Sequence, residues 1–168
     1  MDYKQVYDDG TIKLSRSDHG WHLWARPAVT TLLVKDKKII VFHEKKDSTG
    51  RWVLNCPGGM IESGENSEQA AIRECEEEIG VIPQKLEKFA TVQTDFPDTF
   101  VDFYIGSELK PGHKANWVTE EIGKVEEISW DKLYQKALDS EFHDPRLIVA
   151  ILQLSKQTKL LKAHGLAR

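Results

Sequence analysis

The sequence predicts an α/β fold, in which strands and helices pack as a layered sandwich. At 168 residues the chain is long enough for one real core and too short for two ordinary domains, so we expect a single domain over residues 1–168. Several β-branched, apolar runs are interrupted by one strongly acidic helical segment, and an amphipathic helical segment closes the chain. These patterns are the basis of the fold prediction.

Composition narrows the classes of partner. The formal net charge is −4 and the isoelectric point is near 5.9, which argues against a nucleic-acid backbone or an anionic membrane as the main partner. Cys56 and Cys75 form neither a metal-site spacing nor a disulfide framework, and the amino terminus lacks the apolar run of a signal peptide. We therefore expect a cytoplasmic protein whose partner is a small molecule.

Residues 1–26 are predicted to be an amino-terminal extension. Asp9-Gly10 is a turn signal between short β-compatible pieces, which indicates a hairpin. A following strand would place Trp21 and Trp24 on opposite faces, so at most one of them can be a core residue. The other is either an aromatic platform for a nucleobase or a residue of a subunit or loop contact.

The next segments predict the centre of the sheet. Ala28–Val34 and Lys38–His43 are apolar and β-branched, and the polar residues between them favour a hairpin. A short strand at 52–54 then leads into a Cys-Pro-Gly-Gly sequence. Three cations bracket the turn before that strand, and they contact either substrate phosphate or only solvent: Lys45, Lys46 and Arg51.

The acidic segment has the signals of a helix with defined ends. Asn66 suits the N-cap, Gln69 stands three residues later as in a capping box, and Gly80 suits the position after the last turn. We predict a helix over 67–79. Its core-facing stripe comprises Ala71, Ile72, Cys75 and Ile79.

The carboxyl-terminal half predicts two strands (86–94 and 99–105), a loop over 106–120, a strand at 125–130 and a helix at 131–138. The loop is a candidate lid that contains Trp117. Asp144-Pro145 predicts the start of a last helix that reaches about Ala163. Its buried stripe comprises Leu147, Ile151, Leu154 and Leu161, and no histidine spacing indicates a metal site.

Three carboxylates of the acidic helix share a flank. Glu74 lies three and four residues before Glu77 and Glu78, so their oxygens can approach one ion, and such hard ligands suit Mg²⁺ or Mn²⁺. Arg73 is one turn from Glu77 and can hold it in one rotamer. The alternative is a solvated acidic face, which predicts no metal dependence.

The spacing around these residues resembles the Nudix box. It runs Gly59, five residues, Glu65, seven residues, Arg73-Glu74-Cys75, one residue, Glu77-Glu78, one residue, Gly80-Val81. Only Cys75 departs from the usual pattern, since the family commonly has an aliphatic residue there, and a buried cysteine behaves as a small hydrophobe. The sequence thus resembles the Nudix hydrolases.

That resemblance implies an α/β/α sandwich with a mixed sheet between helices. It also implies hydrolysis of a nucleoside diphosphate linked to another moiety, X, with Mg²⁺ or Mn²⁺ as the cofactor. Glu74, Glu77 and Glu78 would be metal ligands, and the Gly59 carbonyl would be a further one. Glu65 and Arg73 would orient the glutamates.

Weaker features resemble the ADP-ribose pyrophosphatase branch: the amino-terminal extension, the WVLNCPGG approach and Pro97. The branch implies a homodimer and a late-loop glutamate that positions water, here Glu120 or Glu121. Lys45-Lys46 stands where such relatives often have arginine. Nucleoside triphosphates, diadenosine polyphosphates and nucleotide sugars stay open as substrates, as do a non-catalytic nucleotide-binding module and a structural protein.

Overall fold

A computed structural model describes residues 4–46, 49–94, 99–114 and 121–166. The elements in chain order are β1 (Lys4–Asp8), β2 (Ile12–Ser17), β3 (Gly20–Ala25), β4 (Ala28–Lys35), β5 (Lys38–Lys46), β6 (Arg51–Asn55), α1 (Ser67–Ile79), β7 (Val81–Gln93), β8 (Phe100–Pro111), β9 (Glu121–Ser129), α2 (Trp130–Leu138), α3 (Pro145–Ser155) and α4 (Thr158–Ala163). None of the helices in these ranges is long and apolar enough to cross a membrane.

The main sheet is mixed and has six strands. β4 pairs parallel with β8 and antiparallel with β5, and β5 pairs antiparallel with both β6 and β9. The β4–β5 hairpin turns through Asp36 and Lys37, both at positive φ, as a two-residue turn with the twist of its strands requires. The predicted central hairpin and the mixed sheet are therefore confirmed.

Alternate residues of β4 separate the two faces of this sheet. Leu32 and Val34 belong to the large core beneath α2, α3 and α4, whereas Val29 and Leu33 pack on the side of α1. Because side chains alternate along a strand, one buried apolar strand can serve both helix layers. The predicted α/β/α sandwich is confirmed.

The strands around α1 are longer than predicted. β7 begins at Val81, directly after the helix, and β8 continues to Pro111, which pairs with Val81. Gly106, interpreted as the start of a loop, lies inside β8, where an added Cβ would come within 2.8 Å of Leu33 and 3.0 Å of Pro83. Here glycine marks crowding between layers and not a turn.

The predicted last helix is two helices. Asp144 caps α3 by accepting a hydrogen bond from the Arg146 backbone N–H, as expected from the Asp-Pro signal. Gln157 then leaves helical geometry before α4 begins. The polar run at 155–158 offers no apolar side chain to hold this turn against the sheet. The predicted stripe is buried in both helices: Leu147, Ile151, Leu154 and Leu161.

A separate antiparallel sheet of three strands, β1–β2–β3, comes from the amino-terminal segment. Its first hairpin confirms the Asp9-Gly10 turn. Trp21 and Trp24 lie on opposite faces, as predicted, and neither is buried. The registers place five large apolar side chains on one face of this small sheet: Tyr7, Ile12, Leu14, Trp21 and Leu23.

Candidate active site

The segment after β6 lies along β4. The Thr31 N–H donates to the Pro57 carbonyl at 2.7 Å, and the Val29 N–H donates to the Gly59 carbonyl at 2.9 Å. β5 pairs only with the other half of β4, at 33–35, so this segment uses the edge of β4 that β5 leaves open. The loop is consequently held by backbone hydrogen bonds on both sides of Gly58.

Both glycines of this loop stand where no side chain fits. An added Cβ at Gly58 would lie 2.4 Å from the Val29 carbonyl oxygen, so the loop can approach β4 only without one. An added Cβ at Gly59 would lie 2.2 Å from a carboxylate oxygen of Glu74. Gly58 thus faces the sheet, and Gly59 faces the acidic helix.

Helix α1 spans Ser67–Ile79, as predicted, and both ends are fixed. Asn66 and Gln69 form the reciprocal capping box, and Gly80 ends the helix in the left-handed region at φ 71°. Cys75 packs with Leu33 against the sheet, which agrees with its interpretation as a small hydrophobe. The predicted stripe is only partly confirmed: Ala71 and Cys75 are buried, while Ile72 and Ile79 are half-buried.

Arg73 joins three carboxylates. Its guanidinium makes a two-point contact with Glu65, from Nε at 3.1 Å and from Nη2 at 2.8 Å. Nη1 donates to Glu74 at 2.8 Å and to Glu77 at 3.0 Å, while Nη2 also donates to the Met60 carbonyl at 3.0 Å. The planar, forked guanidinium therefore fixes Glu74 and Glu77 relative to the loop.

These contacts shift two pKa values. The hydrogen bond from Arg73 lowers the pKa of Glu65, because it favours the charged carboxylate. The hydrogen bond to Glu65 likewise raises the pKa of Arg73, and the Glu74 and Glu77 carboxylates add to this rise. The pair is consequently ionised across the neutral range.

Glu78 and Glu76 leave the helix in other directions. The Glu78 side chain is buried, and one of its oxygens accepts a hydrogen bond from the Gly58 N–H at 3.1 Å. The Glu76 carboxylate instead accepts from the His113 backbone N–H at 3.0 Å, on the loop after β8. Glu76 therefore holds a neighbouring loop, while Glu74, Glu77 and Glu78 line the side that meets the glycines and Arg73.

The chemistry of these residues fits a hard divalent cation. All the candidate ligands are oxygens. Three carboxylates contact the Arg73 guanidinium and a fourth, Glu78, is bonded to the Gly58 N–H, so negative charge is in excess. Within the described ranges no three side chains already form a closed metal site. Arg73 bonds Glu74, whereas Gly58 bonds Glu78, so the carboxylates have different partners. The Gly59 carbonyl accepts a hydrogen bond from the Val29 N–H and has a second lone pair for a cation.

Other predicted site residues have partners outside this cluster. Glu121 begins β9 and pairs with Lys45 at 2.8 Å, whereas Lys46 contacts Glu44. Trp21 and Trp24 lie on β3, each with a cation of β2 over its ring. Pro97, Trp117 and Glu120 are outside the described residues.

The sequence interpretation missed a buried polar group beside the loop. Glu44 is fully buried on β5, and its carboxylate accepts a hydrogen bond from the Asn55 side chain at 2.7 Å. Asn55 in turn accepts from the Cys56 N–H at 3.0 Å, which ties β6 to the start of the glycine loop. The signal was available, because Glu44 continues the alternation of Ile40 and Phe42, which places a carboxylate at a core position.

Comparison with known proteins agrees with this geometry. A family model described as the NUDIX domain matches residues 24–150. The chain belongs to the Nudix family. The resemblance drawn from the Gly59–Val81 spacing, and with it the prediction of a Nudix-type pyrophosphatase, is confirmed at the level of the family.

Two relatives and one solved structure illustrate what this Nudix chain is similar to. It is 30% identical over 137 residues to an ADP-ribose pyrophosphatase of Bacillus subtilis (strain 168), covering 79% of this chain and 74% of that protein. It is 34% identical over 77 residues to an 8-oxo-dGTP diphosphatase of Escherichia coli (strain K12), covering 46% and 60%. A crystal structure of an ADP compounds hydrolase superposes with a TM-score of 0.73 at 18% identity, covering 95% and 92%, which supports the fold.

Proposed function

We propose that this Nudix enzyme hydrolyses a nucleoside diphosphate linked to another moiety, with ADP-ribose-like compounds or nucleotide sugars as its substrates and Mg²⁺ or Mn²⁺ as its cofactor. The observation that carries the proposal is the Arg73 network, which orders Glu74 and Glu77 beside the buried Glu78. The similarity to the ADP-ribose pyrophosphatase extends over most of the chain, which favours this substrate class over 8-oxo-dGTP.

In this proposal Glu74, Glu77 and Glu78, with the Gly59 carbonyl, hold the cation. A divalent cation supplies Lewis-acid chemistry there, because it withdraws charge from phosphate oxygens and lowers the pKa of water. Arg73 keeps two of the carboxylates in place, and Glu65 fixes Arg73 from the opposite side. This prior ordering limits the reorganisation that substrate binding requires.

Residues outside the box orient the water and the substrate. Glu121 is a candidate to accept a proton from the attacking water, and its pairing with Lys45 fixes it at the start of β9. Glu120 is the alternative. Trp21 or Trp24 would stack on the nucleobase, and Lys45, Lys46, Arg51 and the Pro97 turn would contact the rest of the substrate.

A substrate screen with and without cation tests the proposal. ADP-ribose, nucleotide sugars, diadenosine polyphosphates and nucleoside triphosphates are compared with Mg²⁺, with Mn²⁺ and with excess chelator, and the products are identified. We expect cation-dependent cleavage between the two phosphates of ADP-ribose to give AMP. Full turnover in chelator would reject the cation, and much faster hydrolysis of triphosphates would reject the substrate class. Binding without turnover would favour a non-catalytic module.

The small amino-terminal sheet leads us to infer a homodimer. One face of it exposes Tyr7, Trp21 and Leu23, and its substantial contacts in the described part of the chain are between its own strands. A small isolated sheet with a bare apolar face is marginally stable in water, and a second copy of the chain would cover this face. Light scattering on the full-length chain should give twice the monomer mass, and a monomer at all concentrations would refute the inference.

A further inference from the structure

A cavity of about 530 Å³ lies at the end of the β5–β6 hairpin where Lys46 pairs with Arg51, far from the β4–β5 turn. It is enclosed by the end of β5, the start of β6 and the residues that open α3. Eight residues line it: Lys46, Thr49, Arg51, Val53, His143, Asp144, Pro145 and Arg146.

Strand pairing explains why cations collect in this cavity. Lys46 and Arg51 are register partners across β5 and β6, so their side chains leave the hairpin on the same face. Lys45, one residue earlier, leaves from the opposite face, where it pairs with Glu121. The lining of the cavity therefore has three cations and a single carboxylate, in a chain whose net charge is −4.

The carboxylate of the cavity is already engaged. Asp144 caps α3 and makes a two-point contact with Arg146, in which Nη2 lies 2.7 Å from an Asp144 oxygen. Lys46 contacts the buried Glu44. Arg51 is exposed and lines the cavity, and among the described residues its forked donors have no ion-pair partner.

Strand β6 connects the cavity to the glycine loop. β6 runs from Arg51 to Asn55, and Gly58, only three residues further, donates to Glu78. The pKa of the buried Cys56 thiol is raised first by burial and then by the carboxylates of Asp144 and Glu78. The short connection from β6 to Gly58 therefore joins the cavity wall to the loop that contacts the glutamate cluster.

We propose that this cavity binds an anionic group, best matched by phosphate, on the moiety X, and that the preferred substrate carries negative charge beyond its diphosphate. The proposal rests on the proposed hydrolysis only for the identity of X. An arginine fork matches a phosphate at two points, and partial enclosure weakens screening by salt. Phosphate binding to these cations needs no divalent ion, in contrast to the glutamate cluster.

The first test measures binding of inorganic phosphate by calorimetry in the absence of divalent ions. We expect wild type to bind, and Arg51→Gln to bind about tenfold more weakly, as expected for the loss of a charge-assisted contact. Lys38→Gln is the matched control, since it removes the same charge at the far end of the β5 pairing and should bind like wild type. Glu77→Gln should also bind phosphate normally, even if hydrolysis is lost. No binding by wild type, or equal binding by Arg51→Gln, would overturn the proposal.

The second test compares ADP-ribose with ADP-ribose that carries a phosphate on its distal ribose. We expect wild type to show a KM about tenfold lower for the phosphorylated compound, with kcat little changed, and Arg51→Gln to lose that preference. A preference that survives Arg51→Gln, or no preference, would overturn the assignment. If neither compound is hydrolysed, the proposed function fails. The inference is then tested by measuring how strongly each compound competes with inorganic phosphate in the calorimetric assay.

Discussion

The glycine loop with α1 and the small amino-terminal sheet differ in how far their side chains are enclosed and bonded. In the loop and helix, charged groups are enclosed and bonded several times: Arg73 alone donates to three carboxylates and to a backbone carbonyl. In the small sheet, aromatic groups are exposed, and Trp21 has 57% of its surface accessible.

This difference is the reason that we propose a partner for the small sheet and none for the loop and helix. The polar cluster is satisfied by residues within 20 positions of one another, so a single chain can complete it. The small sheet has an apolar face that the described residues do not bury, and in the proposed dimer a second copy of the chain would bury it. The predictions below disrupt first one region and then the other.

The largest effect is expected at Glu77 and Glu78. Changing either to Gln keeps size and helix propensity close to the original but removes an anionic oxygen. We expect kcat to fall by roughly 10² to 10⁴-fold with the fold preserved, measured on the best substrate of the screen with circular dichroism as the check on folding.

Glu76→Gln is the control for that experiment. Glu76 belongs to the same helix but accepts from His113, and an amide oxygen can accept the same hydrogen bond. It should retain activity. Equal, small effects at Glu76, Glu77 and Glu78 would support a solvated acidic face and contradict the catalytic interpretation.

The two adjacent glycines should fail in different ways. Gly58→Ala places a methyl group against the Val29 carbonyl, which belongs to backbone that cannot move cheaply, so we expect a loss of roughly 2 to 3 kcal/mol in unfolding free energy. Gly59→Ala meets the carboxylate end of Glu74, which can turn away. It should lower activity with much less loss of stability. Urea titration and kcat measured on both variants check this, and the reverse ranking would contradict the geometry.

The small sheet can be tested without touching the glutamates. Trp21→Ser removes the most exposed aromatic residue of the apolar face, and we expect the dimer to weaken by about 2 kcal/mol, or roughly thirtyfold in dissociation constant. Leu138→Ser changes a similarly exposed side chain at the end of α2 and should leave the dimer intact. Sedimentation across a dilution series measures the dissociation constant of the dimer for both variants. The dependence of activity on divalent cation should be the same in each variant.

The features that could be predicted from the sequence are those that depend on residues close together in the chain. Helix α1, its caps and its acidic flank were predicted, because helix capping, carboxylate spacing and the left-handed conformation at Gly80 each depend on only a few neighbouring residues. The alternation along β5 marks Glu44 as a core position, but the hydrogen bond that stabilises a carboxylate there comes from Asn55 of another strand. The break at Gln157 was missed because no single residue there prohibits a helix. The candidate substrate-binding residues were harder to group from the sequence, because Lys45 and Lys46 are neighbours in sequence but leave opposite faces of one hairpin.

The smallest expected effect concerns Glu65, which acts on the cluster only through Arg73. Its pKa is lowered in the folded chain, so the stability that the pair contributes is present above the pKa of the unfolded state and is lost as pH falls through the lower, folded value. Glu65→Gln should therefore cost about 1 kcal/mol at pH 7. The gap from wild type should begin to narrow below about pH 4, where an ordinary glutamate is protonated, and close only below the folded pKa of Glu65. Glu87→Gln, at an exposed carboxyl on β7, should show no such pH-dependent gap. Thermal unfolding from pH 3 to 7 measures it, and a gap that stays constant through the acid range would mean that Glu65 stabilises the loop by packing and not by its charge.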